Sequence, residues 1–328
     1  MKIIIKSLYI AALACTILAA DAGGFEAWLE GVWQEALRLG IDEATLQETL
    51  CDIELREDLI EREQQQIRSK ITLNEYLEKR DKLFKIIPTY YVRHGDLLNR
   101  IGKKYHVQPR FILALWAMES RFGAICGKTP VIPALASLAY KSRRPAFFRK
   151  ELMAALKMVA EGHVQSTQFV GAWDGGLGQC QFMPTSFWKF AVDEDQDGRR
   201  DIFHSTTDVF ASIANYLHEH GWEQNATWGR EVKLPKKFQA NLIDTDVHKS
   251  VQQWALLGVK NRDGTPLPKS TQSACLVRKD FTNGRVFLVY KNYHVLKKWN
   301  NSTLYAITTG MLADKVSECS VKERKLLS

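Results

Sequence analysis

Phe111-Ile-Leu-Ala-Leu-Trp-Ala-Met-Glu-Ser-Arg-Phe-Gly123 is an almost unbroken apolar segment that carries one carboxylate, Glu119. On a helix, Ile112, Leu115 and Trp116 stand seven, four and three residues before Glu119, so all four share one face. That is the face a globular helix buries. A carboxyl group held there is poorly solvated, so its pKa is expected to rise until it carries a proton near neutrality. Cleavage of a glycosidic bond requires a proton-donating acid of this kind. A buried ion pair, with Arg121 or another cation, is the structural alternative for a lone carboxylate on an apolar helix.

Fifty residues on lies Gly171-Ala-Trp-Asp-Gly-Gly-Leu-Gly-Gln-Cys-Gln-Phe-Met-Pro184. Its glycines permit close approach of backbone to a ligand, and the amides of Gln179 and Gln181 suit sugar hydroxyls and N-acetyl groups. The same residues also read as a tight turn before a helix starting at Pro184, and both roles are compatible. No Gly-Lys-Ser/Thr follows, which excludes a phosphate-binding loop.

Working outward, residues 25–91 show helical periodicity, with a stop at Gly40 and a cap at Asp42. Residues 55–85 are charge-rich with a thin apolar stripe, the pattern of a surface arm. Helices are expected at 96–105, from Pro109, at 144–161, at 207–220 and across 292–316. Short β-prone runs appear within 232–245, 255–258 and 273–290, including Arg285-Val-Phe-Leu-Val-Tyr290. The expected fold is mainly α with a small β-containing part late in the chain.

The first residues have the form of a secretory signal: Lys2 and Lys6, an apolar run from Leu8 to Ala20, and a small-x-small site at Ala20-Asp-Ala22. That run is too short to span a bilayer comfortably, and a lipid anchor at Cys15 is not expected. The formal charge of +8 becomes +7 after cleavage at Ala22. A basic exported protein can attract an acidic polymer, or its lysines can serve solubility alone; no nucleic-acid motif is present. Five cysteines remain, namely Cys51, Cys126, Cys180, Cys275 and Cys319. Their spacing argues against zinc. Disulfides Cys126–Cys180 and Cys275–Cys319 are both conceivable, and the odd count leaves one thiol over.

Asp193-Glu-Asp-Gln-Asp-Gly-Arg-Arg-Asp201 matches the start of a calcium loop. Asp193, Asp195 and Asp197 fill positions one, three and five, Gly198 the sharp turn, and Arg199 the position that offers a backbone carbonyl. His204 replaces the usual closing glutamate, so Asp208 is the expected substitute. A structural Ca²⁺ or a solvated acidic turn would each account for the loop; no cofactor is expected for catalysis. In Trp299-Asn-Asn-Ser-Thr-Leu-Tyr305, sugar stacking and a plain helix start capped near Asn301 or Ser302 fit equally well.

Four motifs occur in order: Trp-x-x-Glu-Ser-x-Phe-Gly, Gly-x-x-Gly-Gln-x-Gln-Phe-Met-Pro-x-Ser-Phe with its first glycine at 175, Asp-x-Asp-x-Asp-Gly, and Ala211-Ser-Ile-Ala-Asn-Tyr-Leu-x-x-His-Gly-Trp222. From about Phe25 to Val316 the chain resembles the lytic murein transglycosylases of the membrane-bound type B class. The resemblance implies a lysozyme-like α core and cleavage of the β-1,4 bond between N-acetylmuramic acid and N-acetylglucosamine in peptidoglycan strands, without water, giving a 1,6-anhydromuramoyl end. It implies Glu119 as sole acid and base, with Gln181, Tyr216, Asn300 and Tyr305 lining the glycan groove and Gln179 and Trp299 beside them. It also makes the acidic loop an EF-hand-like calcium site. Ala172 stands where the family usually has serine, and Trp299 where it usually has tyrosine. The expected organisation is a signal peptide (1–22), a helical arm (23–95), the lysozyme-like core (96–225), a β-containing segment (226–290) and a helical return (291–328), with no added C-terminal binding module. A monomer in the periplasm of a Gram-negative bacterium, recruited by cell-wall synthesis or secretion complexes, is the expected setting. A hydrolytic muramidase and a non-catalytic glycan-binding protein are the rival functions.

Overall fold

The computed structural model describes residues 24–65, 71–278 and 284–326, so the signal segment lies outside the described residues. The chain opens with α1 (Gly24–Arg38), α2 (Glu43–Leu50), α3 (Glu57–Gln65), α4 (Leu73–Glu78), α5 (Asp81–Tyr105) and α6 (Pro109–Ser120). Next come β1 (Thr129–Pro130), α7 (Val131–Lys141), α8 (Pro145–Ala160), β2 (Val170–Gly171), α9 (Pro184–Phe190) and α10 (Thr206–Glu219). The last part holds β3 (Gly229–Lys233), β4 (Lys249–Ser250), α11 (Val251–Leu256), β5 (Lys260–Asn261), β6 (Ser273–Arg278), β7 (Val286–Val289), α12 (Lys291–Trp299) and α13 (Thr303–Leu326). The protein is therefore mainly α, with one small antiparallel sheet late in the chain.

Local chemistry explains most boundaries. Asp42 caps α2 by accepting the Thr45 N–H at 2.9 Å, and Pro109 and Pro184 occupy first turns, where no N–H is needed. Helix α5 departs from expectation. The charge-rich arm and the helix expected at 96–105 are joined in 25 continuous residues that run through Pro88. Its buried side, Leu83, Ile87, Leu98, Ile101 and Gly102, packs strongly enough to carry the proline. The expected arm–core boundary at 95/96 thus falls inside one helix, and Val32, Leu46 and Leu59 of the arm share a hydrophobic core with α6 and α13. Residues 255–258, read as β-prone, instead end α11, which opens with a capping box between Ser250 and Gln253.

The five-stranded sheet has the order β4-β6-β7-β3-β5. Strands β6 and β7 are buried on both faces, and the two-residue period divides them between two cores. Cys275, Val277, Phe287 and Val289 enter the main helical core, whereas Ala274, Leu276, Val286 and Leu288 enter a second one with Trp254 and Tyr290. Helix α13 leans against this part through Gly310, where a Cβ would sit 2.2 Å from Cδ2 of Trp228. The Trp228 indole donates to Asp314 at 2.9 Å, fixing the height of α13 and hence of Tyr305. No helix among the described residues is long and apolar enough to cross a membrane.

Candidate active site

Helix α6 ends directly after Glu119. Phe111 to Ala117 are all buried, and Arg121, Phe122 and Gly123 then take left-handed φ values of 50°, 62° and 80°. Such values are unfavourable for Arg and Phe and persist where surroundings enforce them. The Arg121 N–H closes the helix on the Ala117 carbonyl at 3.1 Å, and the Ser120 hydroxyl accepts the Gly123 N–H at 2.9 Å. The chain therefore turns sharply and holds the last helical turn in place.

The Glu119 carboxyl receives two hydrogen bonds on one oxygen. The Trp299 indole N–H donates to Oε1 at 2.6 Å, and the Tyr305 hydroxyl donates to the same atom. Burial is the largest influence and raises the pKa to about 7; the Tyr305 and Trp299 hydrogen bonds pull it down, and the Asp174 carboxylate pushes it up. The residue as a whole is half-buried rather than sealed from solvent. Among the described residues no ion pair engages Glu119, and Arg121 is exposed. The ion-pair alternative has no support in this geometry.

The glycine-rich segment folds as a tight turn over Ala172–Gly176, with the Ala172 N–H on the Gly176 carbonyl at 2.7 Å. Asp174 sits within that turn, where burial raises its pKa and Arg62 and Arg144 oppose the rise. Gln179 is occupied structurally rather than available to sugar. Its Oε1 accepts the Trp116 indole at 2.8 Å, its Nε2 donates to the Phe203 carbonyl at 2.9 Å, and the residue is buried. Gln181 donates from Nε2 to the carbonyls of Gly178 and Cys126 at 2.7 and 3.2 Å.

Tyr216 spends its hydroxyl on the Lys298 carbonyl at 2.9 Å, and its ring meets Trp299 edge-on at 4.6 Å. Burial pushes its phenol up to about 12. It therefore acts as a brace for Trp299, with Phe182 on the indole at 5.3 Å. Asn300 is exposed just beyond α12, and Ser302 caps α13 by accepting the Tyr305 N–H at 3.3 Å. One further neighbour of the carboxyl comes from the N-terminal helices. Burial raises the pKa of Tyr76 in α4, Arg80, 3.5 Å over its ring, opposes the rise, and Glu119 lies near enough to add to it. No local pattern marks Tyr76, because it reaches Glu119 only through the packing of α4.

In the acidic loop, one carboxylate oxygen each from Asp193, Asp195 and Asp197 lies within 4.8 Å of the others. Gly198, with φ at 90°, makes the turn. Asp208 has a different task from the closing ligand expected of it. Its Oδ1 accepts the Glu194 N–H at 2.8 Å and its Oδ2 the Asp201 N–H at 2.8 Å, so it pins both ends of the loop to α10. Glu194 turns away to Lys104 at 2.7 Å, and the Arg199 N–H donates to Asp197 at 2.9 Å. Cys126 and Cys180 are free thiols, not the disulfide considered from sequence, and Cys275 is likewise free; the side chain of Cys319 lies outside the described residues.

The geometry is thus a mainly α fold with a protonable glutamate at a helix end, beside the rings of Trp299 and Tyr305. Residues 24–314 match the transglycosylase SLT domain, and the chain belongs to that family. It is similar to membrane-bound lytic murein transglycosylase B of Escherichia coli, with 30% identity over 240 residues. That alignment covers 71% of this chain and 63% of the relative, less than two thirds of its length. Among solved structures, SltB3 from Pseudomonas aeruginosa in complex with NAG-NAM-pentapeptide is 35% identical, with a TM-score of 0.86 over 90% of this chain and 80% of that one. Lytic transglycosylase Slt35 of Escherichia coli in complex with calcium is 26% identical, with a TM-score of 0.74 over 89% of this chain and 93% of that one.

Proposed function

We propose that the protein is a lytic transglycosylase that cleaves the β-1,4 bond between N-acetylmuramic acid and N-acetylglucosamine in peptidoglycan, with Glu119 as acid and then base. The observation that carries the reading is the Glu119 carboxyl, enclosed and raised to about 7, with no cation to hold it ionised among the described residues. A group poised near the working pH is effective in both proton transfers. Neutral Glu119 gives its proton to the glycosidic oxygen as the muramoyl C1–O bond breaks, and the electron pair leaves with the N-acetylglucosamine oxygen. The resulting carboxylate takes the proton of the muramoyl C6 hydroxyl, whose oxygen attacks C1 and closes the 1,6-anhydro ring. Proton and charge both return to their starting state.

The capture of NAG-NAM-pentapeptide and NAG-anhNAM-pentapeptide by SltB3 supports a glycan strand as the ligand here. Digestion of purified peptidoglycan followed by mass analysis tests the proposal: anhydro products are one water lighter than hydrolytic ones, and Glu119→Gln should abolish both release and turbidity loss. One observation favours hydrolysis as a second reading. Asp174 is near enough to act on Glu119 electrostatically and, among the described residues, is the carboxylate placed to activate water. Products carrying the extra water, lost in Asp174→Asn, would establish it.

The acidic loop fits a structural Ca²⁺. Asp193, Asp195 and Asp197 offer converging hard oxygens, and Arg199 can add a backbone carbonyl. The ion would neutralise mutual repulsion within the loop and take no part in bond cleavage; calcium in the similar Slt35 supports this. Export to the periplasm rests on the signal-like pattern of residues 1–22.

A further inference from the structure

The indole of Trp299 is a donor and nothing else, and this bears on where the Glu119 proton resides. A tyrosine hydroxyl in the same place could donate to or accept from the carboxyl; an indole N–H can only donate. Trp299 cannot swing aside, because Tyr216 and Phe182 pack on its ring at 4.6 and 5.3 Å and Tyr216 grips the preceding carbonyl at 2.9 Å. Its donor points at Oε1 from 2.6 Å, and Tyr305 adds a second donor to the same atom. In a neutral carboxyl the carbonyl oxygen is the better acceptor, so two donors on Oε1 make that oxygen the carbonyl. Oε2 has no hydrogen-bond partner among the described residues.

We infer that Trp299 is a positioning residue that confines the Glu119 proton to Oε2, the oxygen left for the substrate, so that one oxygen performs both proton transfers. The inference rests on the proposed transglycosylase reading for its consequence, but the proton placement itself is a property of the unliganded protein. Among the described residues, the titratable groups that interact with the carboxyl are Asp174 from the glycine turn, Tyr76 from α4, Tyr305 from α13 and Cys180. Burial raises the two phenols and the thiol, which stay neutral near pH 7, so Asp174 is the one competing ionisable group among them.

The test compares Trp299→Phe, which keeps a ring but loses the donor, with Trp299→Tyr, which restores one. Losing a donor disfavours the carboxylate, so in Trp299→Phe the alkaline limb of the pH–kcat profile should move upward by about one pH unit, and kcat should fall roughly tenfold at its optimum. Trp299→Tyr should recover most of both. A rise in KM alone, with the limb in place, would overturn the inference and make Trp299 a sugar platform only. Titrating the Glu119 carboxyl by 13C NMR, with Glu119→Gln to assign the signal, reads the same shift without turnover. If the wild type releases no anhydro product yet the carboxyl pKa rises in Trp299→Phe, the functional reading fails while the proton placement stands. An unmoved carboxyl pKa in a folded Trp299→Phe refutes the placement directly.

Discussion

Replacing Glu119 by glutamine should make the protein more stable, and only on the alkaline side. The carboxyl has an ordinary pKa of 4.5 and is raised to about 7 in the fold. The folded state then binds the proton more tightly than the unfolded chain, so stability is full below about pH 4.5 and drains away as pH rises to about 7. At about 1.4 kcal/mol per pH unit, the loss above pH 7 comes to about 3 kcal/mol, or nearer 2 once the residue's partial exposure is allowed for. Glutamine has no charge to desolvate, and its amide oxygen can accept the same Trp299 and Tyr305 hydrogen bonds. Urea unfolding of both proteins at pH 5 and pH 8 decides the matter. At pH 5, where the unfolded carboxyl is already largely ionised, the variant should lead by only about 1 kcal/mol, and at pH 8 by about 2–3 kcal/mol, or roughly 5 °C in thermal unfolding. If the two proteins lose stability in parallel over that range, the Glu119 carboxyl does not hold its proton up to neutral pH.

Further outcomes follow from named contacts. Gly123→Ala places a Cβ 2.5 Å from Gln179 Oε1 at a φ of 80°, so it should lower stability by about 2–3 kcal/mol and reduce peptidoglycan turnover, read by thermal unfolding and turbidity. In Gly310→Ala the gain of about 1 kcal/mol in helix propensity competes with a Cβ 2.2 Å from Trp228; overpacking should win, with a lower Tm and altered tryptophan fluorescence. Adding Ca²⁺ should raise the Tm of the wild type but not of Asp195→Ala, and calorimetry of the two proteins with and without chelator checks it. Asp208→Asn turns an amide N–H toward backbone donors that need an acceptor, so it should cost about 1–3 kcal/mol even in the absence of calcium, measured by urea unfolding.

The sequence was most informative where local rules act alone. The three–four spacing before Glu119, Pro109 in a first turn and the Asp42 cap place their helices within a residue or two. It was least informative where packing overrides local preference. Pro88 and a polar surface hide the continuity of α5, whose buried side becomes evident only once α6 and α13 lie against it. Nothing near Gln179 in sequence signals that Trp116 and the Phe203 carbonyl consume its amide. Trp299 and Tyr305 were ambiguous for the opposite reason. Their meaning lies in an oxygen atom some 180 positions earlier in the chain.

Strands β6 and β7 send alternate side chains into two different interiors. Neither interior can be sealed without them, so the late β-containing part is no detachable appendage that could be trimmed or exchanged between relatives at its linkers. Excising it would strip the helical half of Phe287 and Val289 and release α13, the helix that delivers Tyr305 to the glutamate. Recombination between such proteins should therefore tolerate joints through the acidic loop far better than joints that separate this sheet from the final helix.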